Sequence, residues 1–210
     1  MRTTTEQHLA PPRRLTAKGE ATRSRIVEAA AGLVLLHGIT RTGIEDVQRE
    51  AGVSASQLYH YFGDKQTLMR AVLARQTAEV LAAQRPELDA LDDFDALSRW
   101  RDRLVALQRA RHCAGGCPIG SIATEVAEDD PDARADVVDS FEQWEAPIRS
   151  GLAAMRDTGL LRDDTDTDRL ALALLAAVQG GLLLTQTRRT TVPLETALDA
   201  VIELIRSYRP

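Results

Sequence analysis

The sequence predicts an all-α fold, and three observations predict it. Ala and Leu dominate while aromatic residues make up only 4% of the chain, and Val, Ile and Thr nowhere alternate for long, as a half-buried strand requires. Apolar residues instead recur at three- and four-residue spacing. Residues 42–65, TGIEDVQREAGVSASQLYHYFGDK, read as two short helices around a tight turn. About nine helices are expected. The first three form an N-terminal helix–turn–helix domain, and the rest form a helical body.

A chain of 210 residues has room for one or two domains and a sizeable core. Its 44% hydrophobic and 27% charged content is ordinary globular composition. No run is read as reaching the roughly 18 charge-free apolar residues of a membrane span. No apolar signal region follows the N-terminal positive charges, so a cytoplasmic protein without a membrane partner is expected. Two cysteines in such a chain suggest free thiols. The net charge of −5 hides an asymmetry: residues 1–84 carry 11 Lys and Arg against 8 Asp and Glu, and residues 85–210 carry 15 against 23. The basic part is the helix–turn–helix part, the direction that phosphate neutralisation favours.

Residues 1–18 have no apolar period and contain Pro11-Pro12, so a flexible basic arm is expected. Its Arg13, Arg14 and Lys18 can follow a DNA backbone or enter a minor groove; the alternative is a solvated tail. The helix–turn–helix domain spans 19–64. Helix 1 runs from about Gly19 to His37, burying Ile26, Ala29, Ala30 and Leu33, and Gly38 ends it. Thr42 with Glu45 suggests a capping box for helix 2, which carries Ile44, Val47 and Ala51. Gly52 supplies the positive φ of a sharp turn. Ser54 with Gln57 is a second capping box, opening helix 3 with Leu58 and Phe62 as core anchors. The exposed remainder, Ala55, Ser56, Gln57, Tyr59, His60 and Tyr61, is small, polar or aromatic, a surface suited to a major groove. Asp64 then caps helix 4. Lys65 in its first turn is badly placed for the helix dipole and well placed for a phosphate.

The stretch TGIEDVQREAGVSASQLYHYFGDKQTLMRAVL resembles the DNA-binding segment of TetR-family transcriptional regulators: a capped helix, A-G-V-S, L-Y-H-Y-F, then D-K before a long helix. The resemblance covers about residues 20–75. It implies that Thr42 and Lys65 touch the DNA backbone, that Tyr59 and His60 touch backbone or bases, and that Ala55, Ser56 and Gln57 read bases beside the cap Ser54. Gln57 is the candidate for a bidentate contact to adenine.

The body, 65–210, follows. Helix 4, about 65–84, carries Leu68, Val72, Leu73, Val80 and Leu81. It links head to body and is the natural lever. Helix 5, about Asp93 to Arg111, has Phe94, Leu97, Trp100, Leu104 and Leu107 on one face. Gly115, Gly116, Pro118 and Gly120 force a break before helix 6. Helix 7 starts at Pro131 with Asp130 as cap and runs to about Asp157, with Val137, Phe141, Trp144, Ile148, Leu152 and Met155 in register. Pro147 inside it predicts a kink or a freed carbonyl. Helix 8, about Asp168 to Thr187, is apolar nearly all round, and Gly180-Gly181 permits a close helix approach. Helix 9, Pro193 to about Tyr208, carries the stripe Leu194, Ala197, Leu198, Val201, Ile202 and Ile205.

Residues 112–128, HCAGGCPIGSIATEVAE, contain a G-C-P-x-G-S string. It resembles a motif opening helix 6 in one TetR subgroup, some members of which sense electrophiles or oxidants through the cysteine matched by Cys117. A zinc site needs about four ligands, and His112, Cys113 and Cys117 give three, so no metal is expected. The preferred reading of Cys117 is a small apolar side chain packed in a glycine-rich loop; the alternative is a reactive thiol, which the helix N-terminus just after it would activate. A catalytic Cys–His pair lacks an orienting carboxylate or oxyanion site. Neither catalysis nor a cofactor is expected.

Helices 8 and 9 have more apolar surface than one small body covers, which motivates a homodimer through a four-helix bundle; the family resemblance implies the same. Such a dimer reads a near-palindrome on double-stranded DNA with two recognition helices about one turn apart. The expected function is a ligand-responsive repressor. A small, largely apolar effector would sit between helices 4 to 8, lined by Trp100, Leu104, Cys117, Ile122, Val126, Phe141, Trp144, Ile148, Met155 and Gln179. Two alternatives stand beside it: a thiol sensor acting through Cys117, and an adaptor that keeps the fold without DNA.

Overall fold

The computed structural model describes residues 15–126 and 130–210. Among them lie nine α-helices: α1 (Ala17–His37), α2 (Ile44–Ala51), α3 (Ala55–Phe62), α4 (Lys65–Ala83), α5 (Phe94–Ala110), α6 (Pro118–Val126), α7 (Pro131–Asp157), α8 (Thr167–Arg188) and α9 (Val192–Arg206). A 3-10 turn, Glu87–Asp89, joins α4 to α5. The described residues contain no strand. The all-α reading holds, and the helix order agrees with it.

Most termini follow the chemistry that the sequence advertises. The Ser54 hydroxyl accepts from Gln57 N–H while Gln57 Oε1 accepts from Ser54 N–H, a reciprocal cap. Gly52 takes φ +62° at the turn. Asp64 accepts from Thr67 N–H, and Asp130 accepts from Asp132 and Ala133 N–H. The Thr42–Glu45 box does not form. The cap residue of α2 is Gly43, with no side-chain cap. The Thr42 hydroxyl instead donates to Gly38 O at 2.7 Å, inside the turn that closes α1.

Three other expectations change. The buried face of α1 is Ile26, Val27, Ala30 and Val34, rotated from the predicted stripe, with Leu33 half-buried. The predicted arm lies outside the described residues through residue 14. Residues 17 and 18 are already helical, capped by the Thr16 hydroxyl, so Lys18 belongs to α1. Residues 170–187 carry no charge, and α8 is long and apolar enough to cross a membrane. Its inner face, from Leu170 to Leu182, is buried in the core of this fold.

The head, α1–α3, closes on Leu58 and Phe62, both buried, each stabilising by roughly 1.5–3 kcal/mol. Head and body meet at the first turns of α4. Arg70 pairs with Asp136 at 2.9 Å and Asp132 at 3.4 Å on α7, and Gln66 Nε2 donates to Asp130. Glu125 at the end of α6 accepts from Thr40 N–H at 3.1 Å. In the body, α8 packs along α9. Gly181 lies so close to α9 that a Cβ there would fall 2.9 Å from Leu194 Cα. Arg149 of α7 reaches Asp168 of α8 at 2.8 Å.

Candidate nucleic-acid interface and body cavities

The outer surface of α3 presents Ala55, Ser56, Gln57, Tyr59 and His60, all exposed, with Tyr59 at 51%. Their backbone is fixed by the cap at one end and by Leu58 and Phe62 beneath. Two predicted contacts need correction. Thr42 is only 1% exposed, and its hydroxyl is committed to Gly38 O, so its side chain offers nothing to a phosphate. Gln57 has its Oε1 in the capping box, which leaves Nε2 alone for a base; a bidentate contact would require opening the cap. Lys65 is half-buried, its Nζ 3.3 Å from Ile39 O. That is a weak tether on a long stem, and its ammonium remains within reach of the surface.

The predicted effector lining does not form one cavity. Leu104, Cys117 and Trp144 line a small inner chamber of about 30 Å³, room for about one water, together with Val80, Gln84, Leu107, Gln108 and Arg111. Phe141 and Gln179, again with Cys117, line a separate cleft of about 400 Å³ between α6 and α8. Ile122 and Val126 face a third cleft, about 150 Å³, at the head–body junction with Ile39, Met69 and Leu73. Trp100, Ile148 and Met155 line none of these and are core residues. An outer cleft between α1, α4 and the α5–α6 loop shares Val80, Arg111 and Pro118 with the inner chamber. The periodicity that placed these residues inside cannot distinguish a packed side chain from one bordering a void.

Sequence reasoning missed the hub of the chamber. Gln84, the C-cap of α4, accepts from both Trp100 Nε1 and Trp144 Nε1 at 3.0 Å through its Oε1. Its Nε2 donates to Val80 O. One amide thus ties the end of α4 to α5 and α7. The available signal was weak: two buried tryptophans need acceptors, and few uncharged polar residues lie within reach.

Cys117 is buried, as the packing reading expects. Burial pushes its thiol up from the ordinary value, outweighing the contacts from Gly120 and Gln179 that lower it. The thiolate is disfavoured at neutral pH, contrary to the dipole argument. Gly120 proves to lie within α6, where a Cβ would meet Gln179 Oε1 at 3.0 Å. The loop break belongs to Gly115 and Gly116, both at positive φ.

Comparison with known proteins now bears on these features. Residues 26–72 match the bacterial regulatory proteins of the tetR family. Residues 94–200 match the C-terminal domain described as transcriptional regulator LmrA/YxaF-like. The chain belongs to the TetR family. Among its relatives, the HTH-type transcriptional repressor DhaR of Mycobacterium sp. (strain GP1) is 26% identical over 185 residues, 87% of this chain and 91% of DhaR. The HTH-type transcriptional regulator LmrA of Bacillus subtilis is 22% identical over 88% of this chain and 96% of its own. Among solved structures, a TetR transcriptional regulator from Chloroflexus aurantiacus superposes with TM-score 0.77 at 27% identity, covering 90% of this chain and 96% of that one. Reduced Escherichia coli NemR gives TM-score 0.70 at 25% identity, over 88% and 97%. As a TetR-family member the chain is a DNA-binding transcriptional regulator, and its relatives are regulators, not enzymes.

Proposed function

We propose that this TetR-family chain is a cytoplasmic repressor that binds a near-palindromic operator as a homodimer and is released by a small, largely apolar effector. The observation that carries the DNA side is the geometry of α3: a capped, core-anchored helix with an exposed, nearly uncharged face. Residues 19–64 form the reading domain and 65–210 the effector and dimerisation body. Ser54, Ala55, Ser56, Gln57, Tyr59 and His60 face the groove, and Lys65 reaches a phosphate. Dimerisation uses the outer faces of α8 and α9. The effector sits against α4, where the cleft lined by Arg75, Gln76, Glu79 and Val80, about 680 Å³, shares Val80, Arg111 and Pro118 with the small inner chamber. A ligand there touches the lever directly, and differential affinity for two positions of α4 is what release requires.

The thiol-sensor alternative loses its main support with the raised Cys117 pKa. No observation favours the adaptor reading. Selection of bound duplexes from a random pool, at fixed salt, tests the proposal. Enrichment of a near-palindrome is expected, and no enrichment from dimeric protein would overturn it.

A further inference from the structure

The turn between α1 and α2 is held from two sides at a single peptide group. The Ile39 carbonyl accepts from Lys65 Nζ of α4 at 3.3 Å. At the other end of the same peptide, Thr40 N–H donates to a Glu125 carboxylate oxygen at 3.1 Å. The Thr40 hydroxyl donates to that oxygen too, at 3.3 Å. Glu125 stands in the last turn of α6. A peptide unit is planar and stiff, so its oxygen and its N–H move together. The ammonium of α4 and the carboxylate of α6 therefore grip one rigid group, each at the end of the peptide dipole that suits its charge.

The turn is shaped for this contact. Gly38 takes φ +81°, and a Cβ there would fall 2.6 Å from Glu125 Oε1. The carboxylate thus lies in space that only glycine leaves open. The Thr42 hydroxyl closes the same turn on Gly38 O. On the body side, Glu125 is carried by a helix whose Ile119 and Ile122 are buried in the core.

An ammonium has three donors. Lys65 spends one on Ile39 O, and the others remain for a phosphate. The tether restrains a long, flexible stem, so the place of the Ile39 carbonyl sets where the charge is offered. Glu125 in turn sets the place of that carbonyl. We propose that Glu125 is a positioning residue for DNA binding: from the body, through the Ile39–Thr40 peptide, it aims Lys65 at the DNA backbone. The inference rests on the reading of Lys65 as a phosphate contact and needs neither a palindromic operator nor an effector.

The test is fluorescence anisotropy of a labelled random-sequence duplex titrated with the full chain at fixed salt. Glu125→Gln and Glu125→Ala have the same net charge, but only the first keeps an oxygen for Thr40 N–H. The Gln variant should bind about threefold to tenfold more tightly than the Ala variant, the span of one net hydrogen bond. In a Lys65→Ala background the two should bind alike. Amide hydrogen exchange at Thr40 gives a readout without DNA, and it should be faster in Glu125→Ala than in Glu125→Gln. Equal exchange in the two variants would overturn the clasp. An affinity difference that persists without Lys65 would reduce Glu125 to a support of the head and overturn the proposal. The two readings fail separately. If Lys65→Ala weakens binding while the Glu125 variants bind alike, the phosphate contact stands and this inference falls. If Lys65→Ala costs no affinity, the phosphate contact falls first and takes the inference with it.

Discussion

At the scale of single residues, Gln84 carries more of the body than its side chain suggests. Gln84→Leu keeps the volume and removes the acceptor of two buried indole N–H groups. Each orphaned donor costs roughly 1–3 kcal/mol, so a loss of at least about 2 kcal/mol is expected in urea unfolding, with the slope unchanged. Wild-type stability in this variant would mean that the two tryptophans find other acceptors. Cys117 gives the second residue-scale prediction. With the thiol pushed up by burial, alkylation by iodoacetamide should be slow at pH 7 and accelerate as pH rises through and beyond the ordinary thiol range. Fast labelling of Cys117 at neutral pH would revive the thiol-sensor alternative. On the reading face, Lys65→Ala should weaken binding to all sequences alike and lower the salt slope by about one.

At the scale of elements, each helix terminus is a local contract between a cap and the N–H groups behind it. Those contracts were legible wherever the capping side chain has no better partner: Ser54, Asp64 and Asp130 did as their sequence context indicates. Thr42 failed because α2 opens one residue later, with Gly43 as its cap, and the Thr42 hydroxyl turns back to donate to Gly38 O. The α1 stripe was misplaced for a related reason. With Val27, Ala29, Leu33 and Val34 all apolar, the period leaves rotation open, and packing against α2 and α4 decides it. The candidate site divides the same way. The exposed face of α3 was readable because it is local, whereas the chamber depends on which side chains fail to meet. Asp64 provides a pH test of one contract. The hydrogen bond from Thr67 N–H is the main cause holding its carboxyl below the ordinary carboxylate value. A depressed native pKa means that the cap contributes above the unfolded-state value and is lost as pH falls through the native one. In an NMR titration the Asp64 carboxyl should therefore protonate after the exposed, unpaired acids on acidification, and fraying of the first turn of α4 should follow it. The Gly180–Gly181 pair offers a second test. Gly181→Ala forces a Cβ against the Leu194 backbone, and such overpacking costs typically about 1–3 kcal/mol. Gly180→Ala meets nothing within 4 Å in the single chain and gains up to about 1 kcal/mol of helix propensity. The two neighbours should therefore shift thermal stability in opposite directions unless a second molecule sits on Gly180.

That condition belongs to the whole molecule. Leu172, Ala176, Gly180, Leu183 and Leu184 form an exposed row on α8, and Leu183 is 63% exposed. Val192, Ala200 and Leu204 continue it on α9. Contiguous apolar surface of this kind on a soluble chain marks an interface, and a two-fold axis through it would set four helices against each other. Leu183→Glu places a charge at the centre of that face without touching the monomer core. Sedimentation at micromolar concentration should then change from dimer to monomer, with helical circular dichroism retained. DNA affinity should fall steeply, because two recognition helices no longer bind as one unit. A variant that stays dimeric with unaltered affinity would move the interface elsewhere. A wild-type protein that sediments as a folded monomer would remove the dimer altogether, and with it the expectation of a palindromic operator.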